Sequence, residues 1–332
     1  MIENSIWITW EIQRRNRELS KALGIRLYEF SELDGMRNRL IKYIMGIAKT
    51  YNVISKVRPG IVFGQNPSLV LSFFLVLFKS VFHMWICIDA HNSGIFPKEG
   101  QSKLLGILSR FIQRRADLTI VTNEPLKRHV EDNGGRSYVL QDKIPSIPSV
   151  APLCLRGKFN ILFICTYAAD EPYEEVFNAA RNIDKEVSIY VTGNYINRGI
   201  IPEGLPENLI LTGFLSEDKY IEILHSVDAT MVLTRRKDCL VCGAYESLAV
   251  GKPMILSDTR ALREYFASSA VYTINNSRGI ECAVQEILER KREIAEHVQQ
   301  VKTTRDLEWE VRKAELERVV HYAVKTDPRF PH

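Results

Sequence analysis

DCLVCGAYESLAVGKPMILSD, residues 238–258, holds three elements in sequence: a loop, a short helix of small residues and a buried strand. The helix is expected from about Ala244 to Val250, and Gly251-Lys252-Pro253 ends it and opens the strand Pro253 to Leu256. Gly243, just before the helix, lets backbone N–H groups approach an anion, because a helix N-terminus carries free donors and the positive end of the dipole. Glu246, about one turn in, can present its carboxylate to the hydroxyls of a ribose, as acidic residues do at dinucleotide sites. The plainer reading of Glu246 is an exposed helix charge.

The same alternation runs outward in both directions. Ser5 to Trp10 reads as a strand, Asn16 to Leu23 as a helix closed by Gly24, and Gly60 to Phe63 as a strand. A helix opened by Asn66-Pro67-Ser68 runs to Lys79, then strand Trp85 to Asp89, helix Leu104 to Arg115 and strand Asp117 to Val121. Pro145, Pro148 and Pro152, interspersed with serines, suit a linker, so the first domain is expected over 1–150. Asn160 to Cys165 starts a second set: helix Tyr173 to Asn182, strands Val187 to Val191 and Leu209 to Thr212, helix Lys219 to Ser226, strand Ala229 to Leu233. This set ends at 305, with an amphipathic stretch Ile280 to Gln300. A separate helix and tail, 306–332, is expected to cross back to the first domain. Alternating strands and helices imply parallel sheets covered on both faces, so each half is Rossmann-like.

With 332 residues the chain exceeds one comfortable core, which agrees with two domains. A composition 45% hydrophobic and 25% charged is that of an ordinary globular protein, and the net charge of +4 gives nucleic acid little support. The six cysteines lie mostly in apolar, strand-like runs, which suits a reducing compartment and a cytoplasmic location. Cys239 and Cys242 form a lone C-x-x-C without further ligands, so packing is expected rather than metal or redox use. The segment Leu69 to Phe78 falls well short of the ~20 residues of a membrane span. Buried helix is the simpler reading, and docking on the inner face of the membrane stays open.

The 238–258 stretch resembles the donor-binding region of the retaining GT-B glycosyltransferases of family 4, also called group 1, the bacterial polysaccharide-biosynthesis type. There two acidic residues eight positions apart flank a glycine-containing loop and a small-residue helix followed by Gly-x-Pro. Asp238 falls on the first acidic position, where the family has Glu, and Glu246 on the second. The resemblance implies a GT-B fold, two Rossmann-like domains with parallel sheets facing across a cleft, and a hexosyltransferase acting from a nucleotide-diphosphate sugar with retention. It assigns the ribose to Glu246, and the transferred sugar and diphosphate to Asp238 and the loop amides at Cys242, Gly243 and Ala244. Thr166, Thr192, Gly193 and Gly213, on loops at the same sheet edge, are expected around the donor. Relatives carry basic groups on the loop that here reads Thr166-Tyr-Ala-Ala-Asp170-Glu171; Arg235 and Lys237 are expected to replace that charge.

In the first half, Asp89-Ala-His91 is similar to the family's strand-end Asp-x-His element, which makes Asp89 and His91 catalytic candidates. Arg14 and Arg15 can bind phosphate of the donor or of a lipid-linked acceptor, and a solvated helix start is the alternative. The implied partners are a nucleotide-sugar and a sugar, glycan or lipid-linked acceptor, with no nucleic acid, no cofactor and no metal requirement. Two rivals remain: a nucleotide-sugar epimerase on the same fold, and a non-catalytic partner of a glycan-assembly complex. A nicotinamide dehydrogenase is disfavoured, because no G-x-G-x-x-G opens either half.

Overall fold

A computed structural model describes residues 2, 4–36, 38–66, 68–327 and 329, with the side chain of Glu99 left aside. The chain divides into two units, Met1–Lys143 with Glu308–His332, and Ile144–Leu307. The first break falls seven residues before the expected boundary, because Ile144 already packs into the core of the second unit.

In the first unit the chain order is β1 (Ser5–Thr9), α1 (Arg14–Ala22), β2 (Arg26–Glu29), α2 (Arg39–Val57), β3 (Ile61–Asn66) and α3 (Leu69–Phe78). It continues with β4 (Trp85–Ala90), α4 (Asn92–Ile95), α5 (Lys103–Arg115), β5 (Leu118–Val121), α6 (Glu124–Asp132) and β6 (Ser137–Val139). The strands form one parallel sheet in the order β2-β1-β3-β4-β5-β6. The chain therefore leaves β1 for β2 on one side and returns to build outward from β3 on the other. One face carries Ile6, Ile8, Val62, Ile86 and Ile88 under α2, α3, α5 and α6. The opposite face carries Trp7, Phe63 and Cys87, with the Trp7 and Phe63 rings stacked 5.3 Å apart.

The second unit runs β7 (Phe159–Phe163), α7 (Tyr173–Ala180), β8 (Val187–Thr192), β9 (Leu209–Gly213), α8 (Glu217–Ser226) and β10 (Ala229–Val232). Then follow α9 (Cys242–Ala249), β11 (Met254–Ser257), α10 (Arg260–Phe266), β12 (Ala270–Thr273) and α11 (Ser277–Lys325). Its parallel sheet has the order β12-β11-β10-β7-β8-β9, so the strand order reverses between β7 and β10, where Met231 pairs with Phe163.

Helix ends follow local chemistry. The Asn38 side chain accepts the amides of Leu40 and Ile41 and caps α2, which ends at Arg58 in the left-handed region before Pro59. Ser68, Ser102, Asn123 and Thr259 cap α3, α5, α6 and α10 in the same way. The expected break near residues 300–307 does not occur: α11 is one helix of 49 residues. Neither Gly nor Pro lies there, and the hydroxyls of Thr303 and Thr304 bond to the carbonyls of Gln299 and Gln300, within the helix. Val301 of this helix packs into the second unit's core and Trp309 into the first unit's. Trp309 Nε1 donates to the Gln141 carbonyl at 3.1 Å, and the Tyr138 hydroxyl to the Arg312 carbonyl at 2.8 Å.

Candidate functional site

In open parallel sheets ligands collect beyond the strand carboxyl ends where the strand order reverses. In the second unit that point lies beyond β7 and β10, and the loops after β7, β8, β10, β11 and β12 are tied together there. A Cβ on Gly243 would lie 3.0 Å from Ile164 Cγ2, so the N-terminus of α9 sits closely on the loop after β7, and a larger residue there would have to displace the Ile164 side chain by a few tenths of an ångström. Of the three amides expected at a diphosphate, that of Ala244 is turned into the helix's own first turn, where it donates to the Val241 carbonyl at 3.1 Å. Ala244 is buried, while Cys242, the first residue of the helix, is exposed. Glu246 is half-buried on α9 and accepts a hydrogen bond from the Tyr220 hydroxyl of α8.

The acidic loop 166–171 is internally satisfied. Glu171 accepts the amides of Thr166 and Ala168 at 2.9 and 2.8 Å and the Thr166 hydroxyl at 3.1 Å. Tyr167 between them is buried, with φ 59°. Asp170 joins this loop to the one after β10. Its side chain accepts the Thr234 hydroxyl at 2.6 Å and pairs with Arg236 at 3.2 Å, and its carbonyl accepts the Arg235 amide at 2.7 Å. The side chains of Arg235 and Lys237 are exposed next to the half-buried Asp238. One acidic charge of the loop is therefore matched locally.

Thr192, expected at the donor, is buried and turned inward. Its hydroxyl accepts the Cys165 amide at 2.9 Å and donates to the Cys165 carbonyl at 3.0 Å, stapling the end of β8 to that of β7. Gly193 has φ +97°, and a Cβ there would lie 2.5 Å from the Cys165 carbonyl oxygen, so its role is also close packing. Gly213, at φ +73°, ends β9. Ser257 accepts the Thr234 amide and donates to Asn275, whose side chain returns to the Thr234 carbonyl at 2.8 Å. These staples hold the loops around α9 in one arrangement. Among the described residues no group of three or more His, Cys, Asp or Glu side chains is set to hold a metal ion, the C-x-x-C included.

In the first unit two expectations are corrected. Arg15 is not turned to a phosphate: it is buried, its Nε and Nη2 hold Asp89 at 2.9 and 2.6 Å, Nη1 pairs with Asp142, and Nη2 also reaches the Leu140 carbonyl. Asp89 is fully buried in this pair, so it positions the strand end rather than meeting substrate. Burial works to raise the Asp89 pKa, yet the charge and hydrogen bonds of Arg15 outweigh it and hold the carboxyl below its ordinary range. Arg14 is half-buried at the start of α1.

His91 follows β4, with Nε2 3.8 Å from Asp89, too far for a hydrogen bond. Burial lowers its pKa against the opposing pull of Asp89, which favours a neutral imidazole at neutral pH. Next to it β3 ends in Gln65 and Asn66; the His91 amide donates to the Asn66 carbonyl at 3.2 Å. Gln65 Nε2, Asn66 Oδ1 and His91 Nε2 find no protein hydrogen-bond partner. Of this polar cluster beside the β1/β3 reversal, His91 was expected from the sequence, while Gln65 and Asn66 were missed. The signal was present: two amide side chains at the carboxyl end of a buried strand.

Two doubly covered parallel sheets, each reversing at a central strand and joined by a long C-terminal helix, make this a GT-B fold. Sucrose-phosphate synthase from Thermosynechococcus elongatus has the same fold, with a TM-score of 0.77 at 12% identity over 97% of this chain and 99% of that one. HepE from Anabaena, solved with UDP-glucose, matches with a TM-score of 0.70 at 12% identity over 94% and 98% of the two chains. A UDP-GlcNAc 2-epimerase from Methanocaldococcus jannaschii matches with a TM-score of 0.54 at 11% identity over 85% and 92%. No protein-family model and no curated protein matches the sequence. No helix among the described residues is long and apolar enough to cross a membrane.

Proposed function

We propose that the protein is a glycosyltransferase that moves a hexosyl group from a UDP-sugar to a sugar, glycan or lipid-linked acceptor, with retention. The observation that carries this reading is the seating of Gly243 on Ile164 at the β7/β10 reversal. In this reading the start of α9 receives a diphosphate, with the Glu246 carboxylate one turn further in. HepE, of the same fold, was solved with UDP and with UDP-glucose, which supports the nucleotide class. In this reading Glu246 accepts the ribose hydroxyls, and the exposed Arg235 and Lys237 stabilise the diphosphate as it leaves. Asp238 holds the transferred sugar. The neutral His91 imidazole, with Gln65 and Asn66, orients hydroxyl groups from the first domain. The residues assigned need no metal, and the enzyme works on the cytoplasmic side of a membrane.

A thermal-shift screen with UDP-, GDP-, ADP- and CMP-sugars tests the donor. UDP-sugars are expected to stabilise the wild type by about 2.7 kcal/mol at 100 times Kd, and Glu246→Ala to lose the shift. Absence of any shift in folded protein contradicts the reading. An epimerase is the second reading, favoured by the fold shared with the 2-epimerase. It predicts conversion of donor without acceptor, whereas a transferase needs one.

A further inference from the structure

We propose that the first unit holds a binding site for a small aromatic anion at the rim of its sheet opposite the polar cluster, beyond the donor chemistry and independent of it. Trp85 opens β4, Asp117 stands just before β5 and Arg136 just before β6, so all three lie at the amino ends of parallel strands. Gln65 and Asn66 end β3 at the carboxyl rim. A strand of six residues, such as β4, sets the two rims about 17 Å apart. Leu316 and Val320 of α11 pack with Trp85 and Leu118 in one core, which fixes the last turns of that helix beside the amino rim. Between helix and strand starts lies a cavity of about 740 Å³. Small-molecule sites span roughly 300–1,000 Å³, so the space suits a ligand of that class. Its walls carry Arg136 from the sheet and Arg318, Val319 and Tyr322 from α11.

The charge balance of the walls decides which ligand fits. Two acids line the cavity, Asp117 and Asp327, and both are already matched. Asp117 accepts the Ile86 amide at 2.8 Å and pairs with Lys79 at 3.0 Å and Arg329 at 2.6 Å, while Asp327 pairs with the same Arg329. Arg136 and Arg318 stand apart from this network. Both are exposed, and among the described residues neither forms an ion pair. Arg318 engages only Nε, on the Ala314 carbonyl of its own helix at 3.4 Å. Two guanidiniums therefore line one cavity without a counter-charge, and an anion that accepts from both supplies it. The apolar part of the ligand follows from the helix. Tyr322 is 72% exposed and Val319 41%, and Tyr322 follows Arg318 by four residues, so ring and guanidinium stand on one face of α11. An exposed aromatic ring beside an unmatched cation suits a ligand that is flat and apolar at one end and negative at the other.

Calorimetric titration of the full chain with phenyl phosphate and with benzoate tests the proposal, against inorganic phosphate and benzyl alcohol. An aromatic anion is expected to bind, the tighter of the two naming its charged group as phosphate or carboxylate. Inorganic phosphate and benzyl alcohol, each carrying half of the ligand, should bind more weakly. Arg136→Gln and Arg318→Gln should each weaken the tighter ligand about tenfold, the order of a hydrogen bond to a charged group. Tyr322→Ala should weaken it as well, and Tyr322→Phe should keep it. Thermal melting of these variants should stay at wild-type values, and so should the Glu246-dependent binding of UDP. Wild-type protein that binds neither aromatic anion overturns the proposal, as does unchanged affinity in both arginine variants. Inorganic phosphate that binds as tightly as phenyl phosphate overturns it too, because the ring then contributes nothing. So does loss of phenyl phosphate binding in Glu246→Ala, which would put the probe in the donor site. A chain that binds phenyl phosphate through Arg136 and Arg318 but ignores UDP would sink the donor reading and leave this one standing.

Discussion

At the scale of single residues, the first unit turns on Arg15. A guanidinium buried between Asp89 and Asp142 is held by charge-assisted bonds in a site that excludes water. Asp89→Asn leaves Arg15 with Asp142 as its charged partner, so the loss should be at most the about 3–5 kcal/mol of a broken buried pair; urea unfolding measures it. The pH dependence follows from the same groups. The Asp89 pKa is lowered in the folded state, so its stabilisation is complete above the unfolded value of ~3.9 and is lost as pH falls through the folded one. The His91 pKa is lowered too, so its contribution is present above ~6.5 and fades as pH drops below that. Unfolding midpoints should therefore fall with acid already below ~6.5, and His91→Gln should flatten that upper part of the curve. A midpoint that rises with acid contradicts both assignments.

The residue scale also shows what a sequence carries. The position of Gly243 and Glu246 in the first turns of a helix was legible, because the small-residue run and its closing Gly251 are local signals. Arg15 was not: its partners lie 74 and 127 residues away, and an arginine-rich loop looks the same whether it faces solvent or a buried carboxylate. Thr192 misled for a related reason. A threonine at a strand end can face a ligand or staple its neighbour, and only the position of Cys165 separates the two.

Among the elements, the central strands and α9 were readable, since buried parallel strands are short apolar runs and α9 is closed by Gly251. α2 escaped notice although its sequence is helical in pattern; its apolar residues cover an exposed arc as well as the buried one, and Lys42, Lys49 and Lys56 mark the polar side. The edge strands β2, β6 and β12 are three or four residues long, too short to separate from turns. α11 was divided near residue 305 because the second set of strands and helices is complete by then, although the sequence holds no Gly or Pro to end a helix there. Two predictions belong here. Gly243→Ala places a methyl against Ile164, an overpacking worth about 1–3 kcal/mol that pushes α9 from the β7 loop. UDP-sugar affinity should fall with it, and an unchanged affinity would show that the α9 amides are not the diphosphate seat. Trp309→Ala empties a buried site under the first unit's sheet and should cost about 3–5 kcal/mol. Calorimetry should show the first unit's transition moving down while the second unit's stays.

For the whole molecule, each unit owns a core and a strand-order reversal, and α11 contributes side chains to both cores. The alternation of strands and helices made that architecture legible, because two similar halves follow from the repeated pattern itself. Chemistry is less legible at this scale, since one fold carries transferases and epimerases alike. The reading therefore rests on local chemistry at the second unit's reversal point. Calorimetric titration of UDP into wild type, Glu246→Gln and Tyr220→Phe tests it most directly. The account predicts that Glu246→Gln weakens binding by about 10- to 150-fold, the 1.5–3 kcal/mol of hydrogen bonds to a charged group. Tyr220→Phe, which removes one hydrogen bond to the carboxylate and keeps its charge, should bind near the wild-type level. Equal affinity in wild type and Glu246→Gln would contradict the assignment of Glu246 to the ribose, and with it the donor site at α9.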